Sequence, residues 1–180
     1  MNQNKITIKD IVFIAVLSAA LTLAGMITMP LVMTITLFGL RNMVSAVFYS
    51  LFAMLGIMRV EKKGTLTLIG LFHAFVLLMM APVMFFSISS GALFSELITL
   101  IIFKNYSTDK SKVLASMLFI PLTLPTTLIF TMAIHGMSFL EVIEKPFISV
   151  VFTIATIVLS YVGAKLGQKL GYELKKAGKL

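Results

Sequence analysis

Apolar positions in this chain run on continuously, with neither a strand's alternation nor a single helical stripe. From Ile11 to Leu40 thirty residues pass without a charge, and similar runs follow between polar breaks at Glu61–Gly64, Lys104–Lys112 and His135–Lys145. A period of 2 or 3.6 marks an element half in water, whereas a long unbroken run marks one surrounded by apolar material. A transmembrane barrel would show alternating segments of about ten residues. The pattern therefore predicts an all-α integral membrane protein. At about 20 residues per crossing, its spans fall near 8–26, 41–60, 65–82, 88–104, 113–134 and 146–165, a six-transmembrane-helix bundle forming a single domain over 1–180.

Two features shape that reading. Lys5 and Lys9 before an apolar core, with Ser18-Ala19-Ala20 after it, have the outline of a signal peptide, but equally apolar runs follow throughout, so the segment reads as the first span. As one helix, Ile11–Leu40 would reach about 45 Å, against a bilayer core of about 30 Å. Pro30 and the β-branched residues near Thr34-Ile35-Thr36 are expected to end the helix near Met26, leaving 27–40 as an apolar loop folded back over the protein. Pro121 and Pro125 lie inside the fifth span, where proline is tolerated if a neighbour or cavity satisfies the freed carbonyl.

Composition narrows the class. Hydrophobic residues make up 59% and charged residues 12% of the 180, where a soluble domain has about 25% charged. That excludes a soluble enzyme, a coiled coil and a disordered chain. The net charge of +8 would suit nucleic acid, but its distribution assigns it to the bilayer. With the N-terminus inside, Lys5, Lys9, Arg59, Lys62, Lys63, Lys104, Lys110, Lys112, Lys165, Lys169, Lys175, Lys176 and Lys179 are cytoplasmic. Only Arg41 and Lys145 of the 15 Lys and Arg fall outside. The positive-inside rule then puts both termini of a multi-pass membrane protein in the cytoplasm, with no nucleic-acid partner.

The chemistry-bearing motifs are few. Gly163-Ala-Lys-Leu-Gly167 lacks the spacing of a phosphate-binding loop. Two histidines without cysteine form no usual zinc site, and Ser90-Gly91 with His73 falls short of a serine-hydrolase arrangement. No enzyme, metal or cofactor is expected, and transport would need a separate energy source or a coupled ion. Ala15xxxAla19 in the first span and Gly163xxxGly167xxxGly171 at the end of the last offer flat faces for close helix packing, within the bundle or onto a partner. Nine methionines, Met80 and Met84 among them, fall near the outer ends of spans and suit an adaptable apolar site. His73 and Glu96 are the ionisable residues within spans. Counted from Pro82 and Ile88, they lie about 13 and 12 Å down antiparallel helices, so they are expected to pair near the bilayer centre, as a structural tie or as the polar floor of an outward pocket. The loops 26–40 and 84–89 would roof it, with Arg41 and His135 at the rim.

The basic-flanked first helix with Ala15xxxAla19, six spans in about 180 residues and the absence of a nucleotide-binding motif resemble the substrate-binding S component of energy-coupling factor (ECF) transporters. The turn Glu61-Lys-Lys-Gly-Thr-Leu-Thr-Leu-Ile-Gly70 is similar to that of its MptD-like (Trep_Strep) branch. The resemblance implies capture of a small molecule, a vitamin-like or other trace nutrient. Haem or another flat apolar ring system is one option, given that Met and His are haem ligands. It also implies docking through Ala15 and Ala19 onto a transmembrane T component driven by two cytoplasmic ATPase subunits, with Gly163 and Gly167 as further docking candidates. The residues leave open a stand-alone ion-coupled permease with His73 and Glu96 as proton relay, and an accessory subunit without ligand.

Overall fold

The computed structural model describes residues 6–32 and 37–178. Its helices are α1 (Ile8–Val32), α2 (Leu40–Arg59), α3 (Thr65–Leu78), α4 (Pro82–Phe103), α5 (Asp109–His135), the single turn α6 (Phe139–Val142) and α7 (Pro146–Lys176), with no strand among the described residues. Five of these (all but α3 and α6) are long and apolar enough to cross a membrane. The apolar α3 has 14 residues, about 21 Å of helix.

Several boundaries differ from the expected ones, each for a local reason. α1 continues through Pro30 to Val32 instead of ending near Met26; of the expected 27–40 loop, residues 33–36 lie outside the described part. α4 starts at Pro82 rather than near Ile88. Proline is preorganised for the first helical position, whose N–H needs no partner, so Pro82 opens this helix and 84–89 is helical, not a roof. α5 starts at Asp109 because the Thr108 hydroxyl accepts from the Ser111 N–H at 3.2 Å, an N-cap. It runs unbroken past Pro121 and Pro125.

α2 is the hub. It packs against α1, α3, α5 and α7, while α4 packs against α3 and α5. The closest approach is to α7. A Cβ on Gly163 would fall onto the Val47 carbonyl, and one on Gly167 would lie 2.6 Å from the Leu51 carbonyl oxygen. The glycine series is therefore an internal seam against α2, which removes Gly163 and Gly167 as candidates for docking a partner.

The distribution of polarity is inverted relative to a water-soluble bundle. Large apolar side chains point outward: Ile8, Val12, Val16, Leu23 and Ile27 on α1, Ile101 on α4, and Phe147 and Ile154 on α7 are all more than half exposed. Small polar groups point inward, and the buried Ser18, Thr22, Ser87, Thr99 and Ser116 donate to the carbonyl four residues back. Others tie helices together, as when Ser95 donates to the Ala115 carbonyl at 2.6 Å. Interhelical hydrogen bonds and small residues hold a bundle whose outer solvent is as apolar as its core.

The two ends of the bundle differ. At one end Asp10 pairs with Lys62 at 2.7 Å, and Glu61 pairs with Lys112 at 2.6 Å and Lys175 at 3.2 Å. The first turn of α1 and the last of α7 thus meet the same α2–α3 turn at this lysine-rich end; Lys5 and Lys179 are outside the described residues. The opposite end carries Gly39, Arg41, the α3–α4 turn, His135 and α6.

Candidate functional site

Glu96 belongs to the lysine-rich end. Gly64, the N-cap of α3, has φ 90° and no side chain to cap the helix, so its first turn takes a cap from another helix. Glu96 Oε1 accepts from the Gly64 N–H at 2.7 Å and the Tyr106 hydroxyl at 2.9 Å; Oε2 accepts from the Thr67 N–H at 2.9 Å and the Thr67 hydroxyl at 2.6 Å. A buried carboxylate with four donors at a helix N-terminus is compensated by hydrogen bonds and by the helix dipole. The expected His73–Glu96 pair does not form. Because α4 begins at Pro82, Glu96 lies fourteen residues, about 21 Å, along it. His73 lies six residues beyond Thr67, about 9 Å farther along α3.

His73 is fully buried with both ring nitrogens engaged: Nδ1 lies 2.9 Å from the Thr22 hydroxyl and Nε2 2.8 Å from the Tyr49 hydroxyl. Thr22 donates its single proton to the Ser18 carbonyl. In that network Nδ1–H donates to Thr22, and Nε2 accepts from Tyr49. The Tyr49 ring meets the imidazole edge-on, centroids 5.0 Å apart. Gly25 leaves room for the phenol: a Cβ there would lie 2.9 Å from its oxygen.

Above this network, toward the end opposite the lysines, lies a cavity of about 300 Å³, with a recess of about 30 Å³ beside it. Arg41, Ser45, Tyr49 and Leu77 line both. The larger space is enclosed by Asn42 on α2, Val83, Met84, Ser87 and Ile88 on α4, and Ile120, Thr123, Thr127, Thr131 and His135 on α5. His73, Thr22 and Met80 line the recess. α5 is anchored here because Asn42 Nδ2 donates to the Thr123 hydroxyl at 2.7 Å, and because Gly91 lets α4 come close to Phe119 and Thr123. Arg41 Nη1 lies 3.2 Å from the Met84 sulfur.

Of the residues singled out in the sequence, Arg41, Met84 and His135 thus share the larger cavity, and Arg41, His73 and Met80 the recess. Glu96 joins neither. Ala15 is half-buried and Ala19 exposed on the outer side of α1. No metal-holding group of His, Asp and Glu exists among the described residues. Sequence reasoning missed Asn42, Ser45, Tyr49 and the threonines. Thr123, Thr127 and Thr131 recur at four-residue spacing, which places them on one helix face, and Asn42, Ser45 and Tyr49, three and then four residues apart, also share a face. That regularity within apolar spans was the available signal.

The fold and its apolar exterior define a membrane-embedded helical protein with a polar-floored cavity at one end. No protein-family model, curated protein or solved structure matches the chain.

Proposed function

We propose that this chain is the substrate-capturing membrane subunit of an ECF-type importer, with α1–α5 and α7 as its six crossings and the lysine-rich end, with both termini, in the cytoplasm. The cavity then opens outward and takes a small nutrient, which separate ATPases drive inward through a T component. The observation that carries this reading is the cavity itself. It is walled by several helices, floored by the Tyr49–His73–Thr22 network, and closed below by packed apolar side chains such as Ile57, Ile69 and Ile14. A site open at one end and plugged at the other captures a ligand but has no pathway of its own, which calls for a partner that moves it.

The half-buried Ala15 and exposed Ala19 form a low step among Val12, Val16 and Leu23 on α1, a surface a partner helix can approach closely. Haem ligation through His73 is disfavoured, since both of its ring nitrogens are engaged. A His73–Glu96 proton relay loses its basis with the separation of the two groups.

The test is co-purification with identified ECF T and ATPase subunits. Wild-type protein is expected to retain them in mild detergent, whereas Ala15→Leu together with Ala19→Leu loses them without a change in thermal midpoint. Absence of these subunits from the wild-type complex would refute the proposal.

A further inference from the structure

Within the capture reading, the cavity holds a positive charge whose counterion the chain does not supply. The chain has seven Asp and Glu side chains. Asp10, Glu61 and Glu173 are paired with lysines, Asp109 accepts from Tyr172, and Glu96 caps α3. Glu141 is held in the Ser138 capping box, and Glu144 is exposed and in no ion pair among the described residues. Residues 1–5 and 29–36 contain no Asp or Glu. Arg41 is left half-buried against a cavity wall, with the Met84 thioether as the side-chain acceptor in reach. A thioether is a weak acceptor, while guanidinium presents five donors in a planar fork that matches a carboxylate. A cation partly removed from water without a countercharge is costly.

We propose that the substrate is a small organic anion whose carboxylate docks on Arg41, displacing the Met84 contact, while its body lies between Leu77, Val83, Ile88 and Ile120. The volume fits this class: about 300 Å³ is the lower end of ligand sites, and a water occupies about 30 Å³, so the space is about ten waters' worth. It is too small for a phospholipid with two acyl chains, whose phosphate would be the other source of an anionic head. The serine and threonine hydroxyls and Asn42 supply neutral donors and acceptors to orient the body.

The proposal rests on the capture reading, and its test separates the two. The chain has two arginines, Arg41 and Arg59. Full-length protein in phosphatidylcholine nanodiscs is treated with phenylglyoxal, and modification of each arginine is followed by peptide mass spectrometry. Matched probes are added: benzoate and benzamide, nicotinate and nicotinamide, indole-3-acetate and its amide, and phosphatidylglycerol in the disc as the lipid arm. At least one acid is expected to protect Arg41 at a concentration about tenfold or more below its amide, with Arg59 unaffected. Thermal stabilisation by that acid should be lost in Arg41→Gln and partly kept in Arg41→Lys. Equal protection by acid and amide would overturn the anion proposal and leave capture standing. Protection by phosphatidylglycerol alone would assign the site to a lipid and overturn it. No protection or stabilisation by any probe would overturn the anion proposal together with the reading of the cavity as a small-molecule site.

Discussion

Glu96→Gln gives a sharp test of how this bundle is held together. The substitution keeps shape and removes charge. In the native site each carboxylate oxygen accepts one backbone N–H and one hydroxyl: Gly64 and Tyr106 on Oε1, and Thr67 twice on Oε2. A glutamine amide offers one oxygen and one NH2. The Thr67 and Tyr106 hydroxyls can turn to accept, but a backbone N–H cannot, so one of the two α3 amides faces another donor whichever way the amide is set. An unsatisfied buried donor costs about 1–3 kcal/mol, and each hydrogen bond to a charged group contributes about 1.5–3 kcal/mol. Losing one such bond, stranding its donor and weakening the rest should cost about 3 kcal/mol. For a chain of this size that is roughly 6–12 °C in thermal midpoint. The assay is thermal unfolding in detergent with parallel measurement of affinity for an acid that protects Arg41. We expect a large fall in the midpoint with affinity at the permissive temperature unchanged. An unchanged midpoint with lost affinity would refute the assignment of Glu96 to the α3 cap.

In a chain without native cysteine, Ser107→Cys should be labelled by an impermeant thiol reagent only from the cytoplasm and Ser138→Cys only from outside; labelling of both from one side ends the proposed topology. Gly163→Leu, which drives a side chain into the α2 backbone, should destabilise by about 3 kcal/mol or more, beyond ordinary overpacking, whereas Ala19→Leu on the exposed face should leave the thermal midpoint within about 2 °C; equal effects would contradict the buried seam. The Ser138 N–H donates to Glu141 and, with the Ser138 hydroxyl, holds its pKa below the usual carboxylate value. The α6 cap is therefore at full strength above the ordinary carboxylate pKa and weakens as pH falls through the depressed one. Exchange of the Ser138 amide, which the Glu141 carboxylate accepts, should accelerate relative to its intrinsic rate in that acid window and lose this pH dependence in Glu141→Gln.

The helical class and the approximate helix positions were legible because a lipid solvent demands uninterrupted apolar segments with every backbone group satisfied internally. Depth was less legible. Reading Pro82 as the end of a helix, when it opens the next, shortened α4 by six residues and moved Glu96 about 9 Å toward His73. One proline ambiguity thereby created a buried pair that does not exist. The flat glycine face at Gly163 and Gly167 was visible as a packing surface, but spacing says nothing about which helix fills it. The pocket is a tertiary product. Arg41, Met84 and His135 come from three helices, and Tyr49 acquires its role only where α1 and α3 present Thr22 and His73. The Thr123-Thr127-Thr131 spacing was readable, yet threonines in apolar helices commonly bond their own preceding carbonyls, as Thr127 does to Thr123 at 2.6 Å, and that ordinary role hides a pocket-lining one.

Nutrient capture by the cavity is a claim that native mass spectrometry of gently purified protein can decide. Wild-type protein is expected to carry a single non-lipid small molecule, absent when Thr127→Trp fills the cavity while the thermal midpoint of the ligand-free protein is preserved. Wild-type protein that carries only lipid, or a small molecule retained equally by the filled variant, would contradict the claim.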